Sequence, residues 1–282
     1  MIGTLKGLVA SVFLFLSILL INFLQMASVL VLPFSGAGFR AINRWFANTW
    51  WSACVFCTEK IFGIETIFTG DHVPSKENAI VVANHQSMAD IVAIFPLGAR
   101  LERLGDMKWF VKDVLKYVPG VGWGMLFLDC IFLKRDWLAD RDRILKTFSR
   151  LRGLHIAFWL ISFVEGTRNT PEKLAQSQAF ARANGLRVPS EVLIPRTKGF
   201  TASMLGLRSE IVAVYDLTIG YEGGVPTLWR FLCGKTRRVH LHVRRFPVEN
   251  LPMQEDELAR WLMARFEAKD QLLTNFRKDA VL

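Results

Sequence analysis

The sequence predicts an α/β fold: a mixed, largely parallel sheet flanked by helices, preceded by an N-terminal hydrophobic membrane-anchoring helical segment. Three observations carry this expectation. Residues 7–34 are almost wholly apolar, interrupted only by small hydroxyls, Asn22 and Gln25. From Ile64 onward, short apolar runs alternate with helix-patterned stretches and are separated by polar turns, the pattern of strands joined by crossover helices. The 282 residues suffice for one large α/β domain or two small ones.

The first element is longer than the roughly 20 residues needed to cross a bilayer core and too long for the apolar heart of a signal peptide, about 7–15 residues. A retained anchor is expected. Lys6 precedes it while Arg40 and Arg44 follow, a basic excess that favours a cytoplasmic catalytic domain, on a bacterial inner membrane or an equivalent intracellular membrane. Residues 45–62 are rich in Trp and Phe and read either as an interfacial helix folded back on the first or as a core helix. Residues 1–62 are thus assigned to membrane anchoring and 63–282 to a catalytic domain.

Strands are expected at 64–69, 79–83, 109–111, 126–133, 157–164, 192–194, 211–219 and 239–246, and helices at 89–95, 137–151, 171–184, 203–207 and 255–276. The last helix is the clearest, with Leu258, Trp261, Leu262, Phe266 and Leu273 at helical spacing behind an acidic first turn.

Composition narrows the partners. Hydrophobic residues make up 51% and mean hydropathy is +0.27, high for a soluble enzyme. Net charge is +10, which suits nucleic acid, anionic lipid or phosphorylated substrates. Without an RNA- or DNA-binding motif, the lipid bilayer is the economical partner and nucleic acid is not expected. Of the four cysteines, Cys54 and Cys57 have metal-like spacing, but no second pair follows; buried thiols are expected, and no metal. His240 and His242 lack a third ligand.

The stretch from Asn84 to Asp90 is the candidate for chemistry. It follows a short β-branched run and precedes a helical one, so His85 sits where a strand hands over to a helix. Five residues of regular helix would set two side chains about 140° apart. The intervening turn lets His85 donate one ring N–H to Asp90 and keep the other nitrogen free to take a proton. The same spacing also fits a capping histidine. Glu165, Gly166, Thr167 and Arg168 follow another apolar run, at a strand end where α/β sheets bind ligands. Gly166 allows close backbone approach, and Arg168 offers a planar fork suited to phosphate.

Taken in order, the His85-x4-Asp90 block, the Phe163–Arg168 block and the Val192-Leu193-Ile194-Pro195-Arg196 block resemble the glycerolipid acyltransferases of the 1-acylglycerol-3-phosphate (PlsC) family. The resemblance runs from about Phe68 to the C-terminus. It implies that His85 is the catalytic base and Asp90 its orienter, and that Glu165 and Arg168 belong to a block serving the acceptor's glycerol phosphate. Lys134 or Arg135 would be the cation of a further acceptor block, Lys112 a lysine near the phosphate, and Pro195 part of the site wall. The segment 169–191, with its Thr170-Pro171-Glu172 opening, resembles the lysocardiolipin acyltransferase-like branch.

The implied reaction needs no cofactor. An acyl thioester, on coenzyme A or acyl-carrier protein, acts as donor co-substrate, and a lysophospholipid hydroxyl is the acceptor. The simplest acceptor is 1-acylglycerol 3-phosphate; lysophosphatidylglycerol and lysocardiolipin are alternatives, and a non-catalytic membrane-anchored lipid-binding protein is the reading from another class.

Overall fold

The computed structural model describes residues 2–134, 136–279 and 282. Two helices come first, α1 (Ile2–Ser28) and α2 (Gly36–Phe56). The α/β body follows as β1 (Glu65–Gly70), β2 (Ala79–Ala83), α3 (Ala89–Arg100), β3 (Met107–Lys112), α4 (Val121–Phe127), β4 (Ile131–Leu133) and α5 (Trp137–Gly153). It continues with β5 (Trp159–Ser162), α6 (Pro171–Ala183), α7 (Thr197–Leu207), β6 (Ala213–Tyr221), α8 (Leu228–Leu232), β7 (Arg238–Pro247) and α9 (Glu255–Asp279).

The strands form one sheet in the order β1-β7-β6-β2-β5-β3-β4. All neighbours pair parallel except β6 and β7, so β6, β2, β5, β3 and β4 all point their carboxyl ends to one edge. The central strand β2 is buried along its whole length, as a strand covered on both faces must be. Its side chains alternate: Ala79, Val81 and Ala83 join the core beneath α2 and α3, while Ile80 and Val82 join the core beneath α5, α7 and α9. Trp159 and Tyr215 on the first face and Phe148 and Phe266 on the second are among the largest fully buried side chains, each worth about 1.5–3 kcal/mol by burial.

The apolar N-terminus forms a helical hairpin on the body. Gly3–Val31 has mean hydropathy 2.5 and is long and apolar enough to cross a membrane; only 17% of its most apolar stretch is buried, so most of its side chains face outward. Its inner stripe touches protein. Trp50 Nε1 of α2 donates to the Leu14 carbonyl and Ser17 Oγ, both at 3.2 Å, and a Cβ on Gly7 would lie 2.9 Å from the Leu232 carbonyl oxygen, so only glycine permits that approach. Asn43 Nδ2 of α2 donates to Ser28 Oγ at 2.9 Å. Within residues 45–62, Trp51 and Cys54 pack in the core shared with the sheet, as a core helix would, while Trp45 is exposed. Arg44 clamps Asp106 of the body with Nε to Oδ1 at 2.5 Å and Nη2 to Oδ2 at 2.9 Å.

Three sequence expectations need correction. The apolar run 126–133 is not one strand: α4 ends at Phe127, Asp129 takes a positive φ of 58°, and β4 covers only Ile131–Leu133. Residues 192–194 form no strand; the N–H of Val192 goes to Asp270, that of Leu193 to Glu165 and that of Ile194 to Ser177. Finally, α3 runs through Pro96 to Arg100 because Phe95, Pro96 and Leu97 are all buried, which offsets the roughly 3 kcal/mol cost of an internal proline.

Candidate active site

The carboxyl edge gathers most of the sequence-predicted residues, together with Tyr221, in strand order. Tyr221 ends β6, His85 follows β2 by two residues, Glu165 to Arg168 follow β5, Lys112 ends β3 and Lys134 follows β4. With about 4.8 Å between neighbouring strands, the row from His85 to Lys134 spans three strand steps, roughly 14 Å. Lys112, Lys134 and Arg168 are exposed. Arg135 lies outside the described residues.

The handover after β2 is built by side chains standing in for backbone. Asn84, fully buried, accepts the Ile219 N–H at 2.8 Å and donates to the Ile219 carbonyl at 3.0 Å. The chain then turns, and Asp90 in the first turn of α3 gathers it. Asp90 Oδ2 accepts from Gln86 N at 2.6 Å and Ser87 N at 2.8 Å, and lies 2.9 Å from His85 Nδ1. Its other oxygen, Oδ1, accepts the Tyr221 hydroxyl at 2.5 Å. Burial, with Asp90 alongside, holds the Tyr221 phenol well above its ordinary pKa, so it stays a donor. Asp90 is fully buried and the His85 side chain 13% exposed. A buried carboxylate on Nδ1 leaves Nε2 as the proton acceptor. The imidazole lies flat against Phe163, centroids 4.1 Å apart at 15°, which sets the plane in which Nε2 points.

The turn after β5 holds the backbone of His85. Glu165 Oε1 accepts the His85 N–H at 2.8 Å and Oε2 accepts the Leu193 N–H at 3.1 Å, while the Asn169 N–H donates to the His85 carbonyl at 2.7 Å. Burial pushes the Glu165 carboxyl up to about 8, against the pull of those two N–H donors. Glu165 is thus engaged on both oxygens by protein, whereas Arg168, three residues on, reaches solvent. Gly166 has a positive φ of 72°, and a Cβ there would stand 3.0 Å from Cδ and Nε of Arg196, so glycine lets the Arg196 side chain lie across the turn. Pro195 is buried beside it, and Thr167 is half-buried in the same turn.

Sequence reasoning gave no role to Tyr221, Asn169 or Arg196. A tyrosine ending a strand carries no local signal of the carboxylate it will meet. Elsewhere, His240 Nε2 meets Glu222 Oε1 at 3.0 Å and His242 Nδ1 meets Thr69 Oγ1 at 2.9 Å. Among the described residues, no three His, Cys, Asp or Glu side chains converge to hold a metal ion.

One sheet edge thus presents a carboxylate-paired histidine and a row of exposed cations. Comparison with known proteins gives the class. A family model for acyltransferases matches residues 65–220, and one for the acyltransferase C-terminus matches residues 230–280. A 1-acyl-sn-glycerol-3-phosphate acyltransferase 2 of Brassica napus is 38% identical over 266 residues, covering 92% of this chain and 68% of that protein. The human 1-acyl-sn-glycerol-3-phosphate acyltransferase gamma is 37% identical over 259 residues, covering 90% and 69%. The crystal structure of the 1-acyl-sn-glycerophosphate acyltransferase PlsC from Thermotoga maritima shares the fold, with a TM-score of 0.53 at 18% identity over 92% of this chain and 95% of that one. The chain belongs to the acyltransferase family and is an O-acyltransferase.

Proposed function

We propose that this enzyme acylates the free hydroxyl of a lysophospholipid, 1-acyl-sn-glycerol 3-phosphate, giving phosphatidate. The observation that carries the reading is the His85–Asp90 pair, 2.9 Å apart, at the head of a row of exposed cations. The names of the relatives support the same acceptor.

In this reading the acceptor hydroxyl gives its proton to His85 Nε2 as its oxygen attacks the thioester carbonyl carbon. Asp90 stabilises the imidazolium. The tetrahedral intermediate collapses with cleavage of the C–S bond, and His85 returns the proton to the departing thiolate. A thioester is already activated, so no covalent enzyme intermediate and no cofactor is required. The donor is acyl-CoA or acyl-carrier protein. Arg168, Lys112 and either Lys134 or Arg135 bind the acceptor phosphate, Arg168 by its planar fork. Glu165, with Gly166, Thr167 and Pro195, shapes the wall that holds them.

Residues 1–62 form the membrane anchor and 63–282 the catalytic domain, on the cytoplasmic face. Acceptor and product both live in the bilayer, and a site held at its surface avoids extracting either into water.

The test is a purified full-length enzyme in phospholipid vesicles, supplied with several lysophospholipids crossed against acyl-CoA and acyl-carrier protein. Fastest turnover on 1-acylglycerol 3-phosphate supports the proposal. Preference for lysophosphatidylglycerol or lysocardiolipin would reassign the acceptor, and no transfer to any lysolipid would end the reading.

A further inference from the structure

Asp270 lies in α9, far along the chain from every residue placed at the carboxyl edge, and is buried. One of its oxygens, Oδ1, accepts three consecutive backbone N–H groups: Ser190 at 2.8 Å, Glu191 at 2.6 Å and Val192 at 3.2 Å. The next N–H, of Leu193, goes to Glu165 Oε2, and Glu165 Oε1 holds the His85 N–H. A second strut runs in parallel. Asn169 donates its N–H to the His85 carbonyl and its Nδ2 to the Glu191 carbonyl at 2.9 Å. Both backbone groups of His85 are therefore tied, through Glu165 and Asn169, to the segment 190–193, three of whose N–H groups Asp270 gathers.

The anchor itself is fixed. The neighbouring Lys269 is fully buried against β6, 2.6 Å from Asp216 and bonded to the Leu217 carbonyl at 2.5 Å. Burying an ammonium and a carboxylate on successive residues of one helix is costly unless each is paired, and here each fixes a different partner. Lys269 sets α9 on the sheet; Asp270 sets the 190–193 segment on α9.

We infer that Asp270 is a positioning residue: α9 holds the main chain of His85 in place through the 190–193 segment, Glu165 and Asn169. Asp270 touches no reacting atom. Its effect on turnover rests on His85 being the base, but the link from Asp270 to the His85 amide does not.

Two measurements on the full-length protein in detergent micelles test it. The first is amide hydrogen exchange. In Asp270→Ala, exchange should speed up at residues 190–193 and also at His85, and Asp270→Asn, which keeps one carbonyl acceptor, should restore part of the protection. Should Asp270→Ala not fold, the wild type decides. Under mild denaturant the amides of 190–193 and of His85 should open together; a His85 amide that stays protected after 190–193 have exchanged overturns the inference.

The second is kinetics against a control of matched stability, Leu258→Ala, which removes a fully buried side chain near the start of α9. Asp270→Ala should lower kcat about 10- to 100-fold with KM for both substrates nearly unchanged, the signature of a misplaced catalytic group, whereas Leu258→Ala should lower the melting temperature and leave kcat alone. Equal kcat losses in both variants, or an unaltered His85 amide in Asp270→Ala, would reduce Asp270 to a packing role. Full turnover in His85→Ala would instead remove the base assignment and leave the exchange result standing.

Discussion

The Tyr221 hydroxyl donates to Asp90 Oδ1 at 2.5 Å, on the side of the carboxylate away from His85. Asp90 therefore has donors on both oxygens, four in all, and its orientation is set independently of the histidine. Replacing Tyr221 by Phe leaves a buried Oδ1 without its donor, at about 1–3 kcal/mol. The expected outcome is a folded enzyme with a lowered melting temperature and turnover reduced less than by any change at His85. Wild-type kcat and melting temperature together would show the bond to be dispensable.

His85→Ala removes Nε2 and should abolish transfer, by about 100- to 10,000-fold, with the circular dichroism spectrum retained. Asp90→Asn should also be severe, because an amide cannot stabilise an imidazolium and must turn its NH2 toward one of the donors it now faces. Single-turnover assays of both purified variants check this.

Glu165 gives a pH signature. Its native carboxyl titrates near 8, raised by burial from an ordinary 4.5. The native state holds a proton that the unfolded chain releases, so this group's contribution is complete below about pH 4.5 and fades as pH rises toward 8. Glu165→Gln abolishes that titration. Melting temperatures from pH 5 to 8.5 should decline less steeply in the variant than in the wild type; parallel curves would show that Glu165 ionises alike in both states.

Arg168→Ala should raise KM for a phosphorylated acceptor and leave the acyl-donor dependence nearly unchanged. Initial rates with each substrate varied in turn make the comparison. Unchanged acceptor KM would leave Arg168 without a binding role.

At the joint between α2 and the body, Asp106 is nearly buried and also accepts from Arg103 Nη1 at 3.0 Å, whereas Arg44 is half exposed. Removing Arg44 leaves the carboxylate paired and should cost about 1 kcal/mol or less. Asp106→Ala leaves the mostly buried Arg103 bonded only to the Glu77 and Lys76 carbonyls, without its charge partner, and should cost about 3–5 kcal/mol. Equilibrium unfolding in micelles ranks the two.

Much of the fold was legible because its signals are local. The β-branched run before Asn84, the acidic start of α9 and the long apolar α1 each announce themselves within a few turns of chain. The His85–Asp90 pair was legible for the same reason: both partners lie within one turn. Glu165 is different. Its block was visible, but its carboxylate is met by two backbone N–H groups, one 80 residues upstream and one 28 downstream, which no side-chain pattern encodes. The 126–133 run misled because an apolar stretch studded with glycine just upstream suits helix and strand alike. Asp270 did leave a trace: Lys269 and Asp270 fall on the stripe of α9 otherwise occupied by Leu262, Phe266, Leu273 and Phe276, where charges are out of place unless they have buried work to do.

Asn84 closes the sheet on the β6 side with its side chain, as a strand residue would with its main chain. The polypeptide is thereby released from the ladder one residue before His85 while both backbone groups of Ile219 stay paired. His85 turns its N–H to Glu165 and its carbonyl to Asn169, and offers Nδ1 to Asp90. Three of its four hydrogen-bonding groups are committed before any substrate arrives. In the reaction proposed above, nothing about the residue would have to reorganise when the hydroxyl docks, and the entropic cost of aligning the base would already have been met during folding.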